Sequence, residues 1–138
     1  MTRREIRDNA FKLVFEQLLR DDDINELYDI AEEVEEINVN DDVKKIVEGT
    51  IEHSEEFDGI ISGYSKSRSI ARISKLNLAI LRIALFESIY DKKTPVNVAI
   101  SEAVNLAKVY AYPEDISFIN GVLGAFSRDL KKGENKDE

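Results

Sequence analysis

The chain has 138 residues, of which 43% are hydrophobic and 34% charged, with 6 glycines, 2 prolines and no cysteine. A chain of this length can bury about two-thirds of its unfolded surface, so it needs neither a metal nor a disulfide staple. The missing thiols exclude a disulfide framework, a thiolate metal centre and a cysteine nucleophile, and the apolar share is too high for a disordered chain. The formal net charge of −9 is spread unevenly. Residues 1–20 carry five basic and three acidic groups, and residues 21–59 carry sixteen acids against Lys44 and Lys45. Residues 60–86 hold Lys66, Arg68, Arg72, Lys75 and Arg82 with no acid. Screening acts over about 8 Å at physiological salt, so two positive segments can meet RNA phosphates while the acidic segment faces away. The acidic segment reads as solubilising helix faces. The longest apolar run, Leu78 to Phe86, is broken by Arg82, and the amino end is charged where a secretory leader would be greasy. The expectation is a soluble, cytoplasmic protein.

Helical periodicity runs through nearly all of the chain, and nothing alternates at period two. Thr2 and Glu5 fit a capping box, and Ile6, Ala10, Leu13, Val14 and Leu18 then mark a helix of about 3–20. Asp23 repeats the capping pattern before a stripe of Leu27, Ile30, Ala31, Val34 and Ile37, with Glu32, Glu33, Glu35 and Glu36 mostly outside it. Asp41 or Asp42 is expected to cap a long third helix reaching about residue 65, in which Gly49 and Gly59 could permit a close crossing. Ser65 to Ser69 is the junction between two halves, followed by a turn at Ile70 to Ile73. Leu76 to Ile89 is apolar nearly all round, as a central helix must be. Thr94-Pro95 signals the next start, with Thr94 capping, and Ala99, Ala103 and Ala107 give that helix a small-residue face. Pro113 breaks the chain before a last helix through Leu130, and Lys131 to Glu138 reads as a solvated tail. The fold class is all-α, with about seven helices in one domain of two packed subdomains, roughly 1–65 and 66–132.

Catalytic chemistry finds little support. His53 is the only histidine and has no metal-ligand partner at useful spacing, so a solvated or half-buried ring is expected. No phosphate loop, dinucleotide fingerprint or nucleophile elbow is present. Gly121 and Gly124 lie in the apolar stripe of the last helix, where tight packing explains them, and Asn120 is expected to be buried and hydrogen-bonded. The expectation is a protein that is not an enzyme, with no catalytic residue, cofactor or metal. What remains is the first helix, where Arg3 and Arg7 lie one turn apart with Arg4 beside them and Lys12 could extend the track. Guanidinium groups suit phosphate oxygens and stack on bases.

Three segments together resemble the NusB family of bacterial transcription antitermination factors. They are Arg3-Arg4-Glu5-Ile6-Arg7-Asp8-Asn9-Ala10-Phe11-Lys12-Leu13-Val14-Phe15; Ala79 through Glu87 with Thr94-Pro95 and Ala99 through Lys108; and Phe118-Ile119-Asn120-Gly121-Val122-Leu123. The resemblance implies an all-helical fold and binding of the boxA element of ribosomal RNA leaders jointly with ribosomal protein NusE, within an RNA polymerase antitermination complex. By position it implies that Arg3, Arg4 and Arg7 bind RNA. Glu114 and Asp115 would fall in a loop near RNA ahead of Phe118. Phe15 stands where the family commonly has Tyr, and Asn77 stands where many relatives have an acid, in the region facing NusE with Arg82. The Lys66 to Lys75 segment is an additional candidate surface. The oligomeric state stays open, with a homodimer through apolar surface as one option. Two other readings compete. A module of a ribosomal RNA methyltransferase would need an α/β cofactor domain and a cysteine, and a protein-only helical scaffold would show no RNA sequence preference.

Overall fold

Side-chain caps set where most of the helices begin. The computed structural model describes residues 1–35 and 37–136, with side chains described through residue 133. Seven α-helices and one 3-10 turn make up these residues, with no strand among them. Thr2 caps α1 (Arg3–Arg20) by accepting from the Glu5 amide at 3.1 Å, and Asp23 caps α2 (Ile24–Val34) by accepting from the Asn25 amide at 2.8 Å. Helix α3 (Asp41–Glu52) is capped by Asn40, which accepts from the Val43 amide at 2.8 Å. Asp41 and Asp42, the expected caps, lie instead in the first turn, where carboxylates favour the positive end of the helix dipole. Ser74 caps α5 (Lys75–Tyr90) through the Asn77 amide at 3.1 Å. Helix α6 (Val96–Tyr110) starts one residue later than Thr94-Pro95 suggests. The Thr94 hydroxyl donates to Asp91 at 2.8 Å, and Pro95 takes the cap position, with no side-chain cap bond. Pro113 is the first residue of α7 (Pro113–Lys136), where it loses no helical bond.

Besides α6, and α2, which ends at Val34 short of Ile37, two boundaries differ more widely from the sequence pattern. The long third helix divides at His53, giving α3 and then α4 (Ser54–Tyr64). The apolar stripe continues across the break but changes targets. Helix α3 packs on α1 and α5, whereas α4 packs on α5, α7 and the 3-10 turn Ile70–Arg72. One straight rod could not reach both sets. The last helix extends through Lys136, so residues 131–136 are helical instead of a tail; Asp137 and Glu138 lie outside the described residues, as does Glu36 of the acidic run.

Helix α5 is the hub, and its burial all round explains its nearly uniform apolar sequence. It packs against α1, α3, α4, α6 and α7, on both sides of the connector at 65–74. One hydrophobic cluster includes Phe11 and Val14 of α1, Val47 of α3, Phe57 and Ile61 of α4, Leu81 and Leu85 of α5, Ala107 of α6 and Leu123 of α7. Each fully buried Val, Leu, Ile or Phe of this kind contributes about 1.5–3 kcal/mol by leaving water. Close approach is needed at Gly49, where an added Cβ would run into the Phe86 ring. Gly59 and Gly121 have nothing within 4 Å of an added Cβ, and Gly124 meets only the Arg128 side chain at 3.5 Å, so tight packing does not account for those three. Asn120, expected inside, is exposed. No described helix is long and apolar enough to cross a membrane.

Candidate nucleic-acid interface

The three arginines at the start of α1 meet very different surroundings although they sit within two turns of each other. Arg3 is exposed, and its Nη1 donates only a long 3.5 Å bond to the Lys93 carbonyl. The Arg4 side chain is 73% exposed and forms a two-pronged pair with Glu102 of α6, at 3.2 and 3.0 Å. Arg7 is buried. Its Nε and Nη2 donate to the two Glu87 oxygens at 2.6 and 2.7 Å, and its Nη1 lies 3.3 Å from Glu102.

Arg7 is therefore not a free phosphate contact, contrary to the expectation from spacing. A buried guanidinium cannot remain without a counter-charge, and Glu87 satisfies it from the middle of the fold. Burial opposes the charge on Arg7, but the hydrogen bonds and charge of Glu87, with help from Glu102 and Asp91, more than offset it and hold the group above its ordinary pKa. The hydrogen bond from Arg4 draws the Glu102 carboxyl below its usual value despite partial burial, with the charges of Arg7 and Arg4 adding to the effect. One carboxylate thus binds two arginines, a buried one and an exposed one. Glu87 and Glu102 are the residues that sequence reasoning missed. Glu87 had a signal, since an acid at the end of an all-round apolar helix needs a buried cation. Glu102 had none, because its partners are 98 and 95 positions away.

Lys12 is half-exposed and pairs with Asp8 at 3.1 Å, one turn back. Asp8 also accepts from the Tyr110 hydroxyl at 2.7 Å, and burial together with that bond pushes Tyr110 up to about 12. A groove of about 600 Å³ runs between α1 and α6, bordered by Arg4, Asp8, Glu102, Asn105, Lys108 and Val109. Glu114 is exposed and Phe118 half-buried, but they stand in the first two turns of α7 and not in a loop. The Arg68 guanidinium lies 4.4 Å above the Phe118 ring and pairs with Asp115 at 3.2 Å, so one face of that ring is already covered.

The expected partner-facing residues also separate. Phe15 is half-buried, 5.8 Å from the Phe11 ring, and lines a groove of about 400 Å³ between α1 and α2 with exposed Leu19, Ile30 and Val34. Asn77 is buried at 1% exposure and cannot touch a partner at the surface, because its position in the first turn of α5 faces the core. Arg82 is largely covered, with both prongs on Asp58 at 2.9 and 2.7 Å, and ties α5 to α4 instead of facing outward. His53 is half-buried and stacks on Tyr90 at 4.2 Å. No group of three or more acids or histidines able to hold a metal occurs among the described residues.

The pattern that defines the NusB family matches residues 4–128. The chain belongs to the NusB family. It is 39% identical over 144 residues to the transcription antitermination protein NusB of Acetivibrio thermocellus, covering 100% of this chain and 99% of that one. Its fold is similar to that in a crystal structure of antitermination factors NusB and NusE in complex with dsRNA, with a TM-score of 0.80 and 31% identity over 92% of this chain and 96% of that one. A structure of NusB from T. maritima superposes with a TM-score of 0.80 at 30% identity, over 93% and 92% of the two chains. In this NusB-family chain the buried Arg7–Glu87 pair joins α1 to α5, and Glu102 carries that anchorage outward to Arg4.

Proposed function

We propose that this chain is an RNA-binding transcription antitermination factor. It takes the boxA element of ribosomal RNA leaders jointly with ribosomal protein NusE and acts in the cytoplasm within an RNA polymerase antitermination complex to promote read-through. It is not an enzyme. The observation that carries this reading is the family match over residues 4–128, joined to a relative of the same fold found with NusE and dsRNA. The surface chemistry supports it. Arg3 and Arg4 present cations at the amino end of α1, and because the Arg4 guanidinium is open to solvent its pairing with Glu102 is screened and weak, so a phosphate oxygen can replace the carboxylate. Arg7 contributes by holding Glu87 and Glu102 in place, which fixes where Arg4 stands. Because the chain as a whole is acidic, a basic ribosomal protein favours fast association and completes the positive surface that the RNA needs.

Titration of labelled boxA RNA, with and without NusE, tests the proposal. NusE should tighten binding, and Arg3→Ala or Arg4→Ala should weaken it with the helical circular dichroism unchanged. Equal binding of boxA and scrambled RNA at every salt, with no gain from NusE, would favour a protein-only scaffold. Sedimentation of the chain alone reads whether two copies pair when NusE is absent.

A further inference from the structure

The connector between α4 and α5 carries cations that nothing in the described fold uses. It is held firmly at alternate points. The Ser65 hydroxyl donates to the Arg68 carbonyl at 2.5 Å, Arg68 itself is bound to Asp115 and Phe118, and Ile70 and Ile73 pack into or against the core. These anchors leave Lys66, Ser67, Ser69, Ala71, Arg72, Ser74 and Lys75 exposed. Every one of those side chains is cationic, hydroxylic or small. Among the described residues, Lys66, Arg72 and Lys75 form no ion pair; other surface cations such as Arg3, Lys93 and Lys108 share that property, but here three stand within ten residues with no acid between them. Lys75 also opens α5 at its positive end, where α1, α2, α3, α4 and α7 carry acids.

We infer that this connector is a second RNA surface, which holds the phosphate backbone of single-stranded RNA flanking the primary element. The inference rests on the RNA-binding reading above. Lysine, arginine and serine are the side chains that meet phosphate and sugar without reading sequence, and small neighbours let the backbone come close. Charge complementarity chooses a polyanion, and the Arg68 contacts make the connector continuous with Asp115 and Phe118 at the start of α7. An acidic protein segment would satisfy the cations too, but the exposed Ser67 and Ser69 hydroxyls among them, unlike those of Ser65 and Ser74, are not used within the fold and suit phosphate and sugar oxygens.

The test compares the parent chain with a Lys66→Ala, Arg72→Ala, Lys75→Ala triple variant, each with NusE present. Two RNAs are used: the minimal boxA element, and the same element with single-stranded flanks of about ten nucleotides on each side. The parent should bind the flanked RNA about tenfold more tightly than the minimal one. The variant should lose that gain, and the slope of log affinity against log salt for the flanked RNA should fall by about 2, for three lost phosphate contacts. The inference is overturned if flanks add nothing for the parent, or if the variant keeps both the gain and the slope. It is also overturned if the variant loses NusE instead of RNA, which assigns the surface to a protein. A parent that binds neither RNA defeats the antitermination reading itself, an outcome distinct from the others.

Discussion

The α1 face and the 66–75 connector are the two cationic regions of this acidic chain, and they treat their charges in opposite ways. On α1, Arg7 is enclosed with Glu87, Arg4 is shared with Glu102, and Lys12 is paired with Asp8, which leaves Arg3 with a single long bond to a carbonyl. On the connector only Arg68 is engaged, and Lys66, Arg72 and Lys75 stand in solvent. The arginine-rich helix therefore offers less free positive charge than its composition suggests, and the unremarkable connector offers more. Cations counted along a sequence differ from cations available to a ligand. For Arg4 and Arg7 the deciding carboxylates come from α5 and α6, brought in by the fold.

The largest effect should come from breaking the enclosed pair. Glu87→Gln leaves the Arg7 charge buried without its main partner, which costs about 3–5 kcal/mol. Urea unfolding should show a clear fall in midpoint, and Arg7→Ala should also be destabilising, since it leaves Glu87 with no cation. A Glu87→Gln midpoint equal to that of the parent would mean Arg7 is not structural, and the contrast between the two regions would fail.

Next in size is the separation of binding from stability within α1. Arg4→Ala should weaken boxA RNA binding about fivefold and flatten the salt slope by about 0.7 for one phosphate, while the unfolding midpoint barely moves. Arg7→Ala should do the reverse, moving stability first. If both variants changed only affinity, the division of labour between exposed and enclosed arginines would be wrong.

What the sequence made legible follows from the range of each interaction. Caps at Thr2 and Asp23 act over two or three residues, and both were readable. Asn40 was missed for Asp41 or Asp42 because three adjacent residues can all cap, and only the backbone angles decide. The role of α5 as hub was readable because a helix buried on every side has no polar face. The break at His53 was not, since the apolar stripe runs through it and only the change of packing partners requires a bend. The family motifs located α1 and α7, yet placing Arg7, Asn77 and Arg82 on the surface was an error of depth. Spacing along a helix tells which residues share a face, while burial depends on what packs there from 80 residues away.

The smallest effect tests the shared carboxylate. Glu102 is held below its ordinary value of 4.5 by Arg4 and Arg7, so the folded state favours its charged form more than the unfolded chain does. The stabilisation it contributes is present above about pH 4.5 and is lost as pH falls through the lower folded value. Glu102→Gln should therefore be somewhat less stable than the parent at neutral pH, and the gap should close on acidification below pH 4.5, followed by thermal melts at several pH values. A gap that widens in acid would reverse the sign and exclude this carboxylate as the link. RNA affinity should move the other way. Removing the charge that competes for Arg4 should strengthen RNA binding about two- to threefold at pH 7, within what an exposed pair is worth. Weaker binding would instead mean that the orientation Glu102 imposes on Arg4 matters more than the charge it removes.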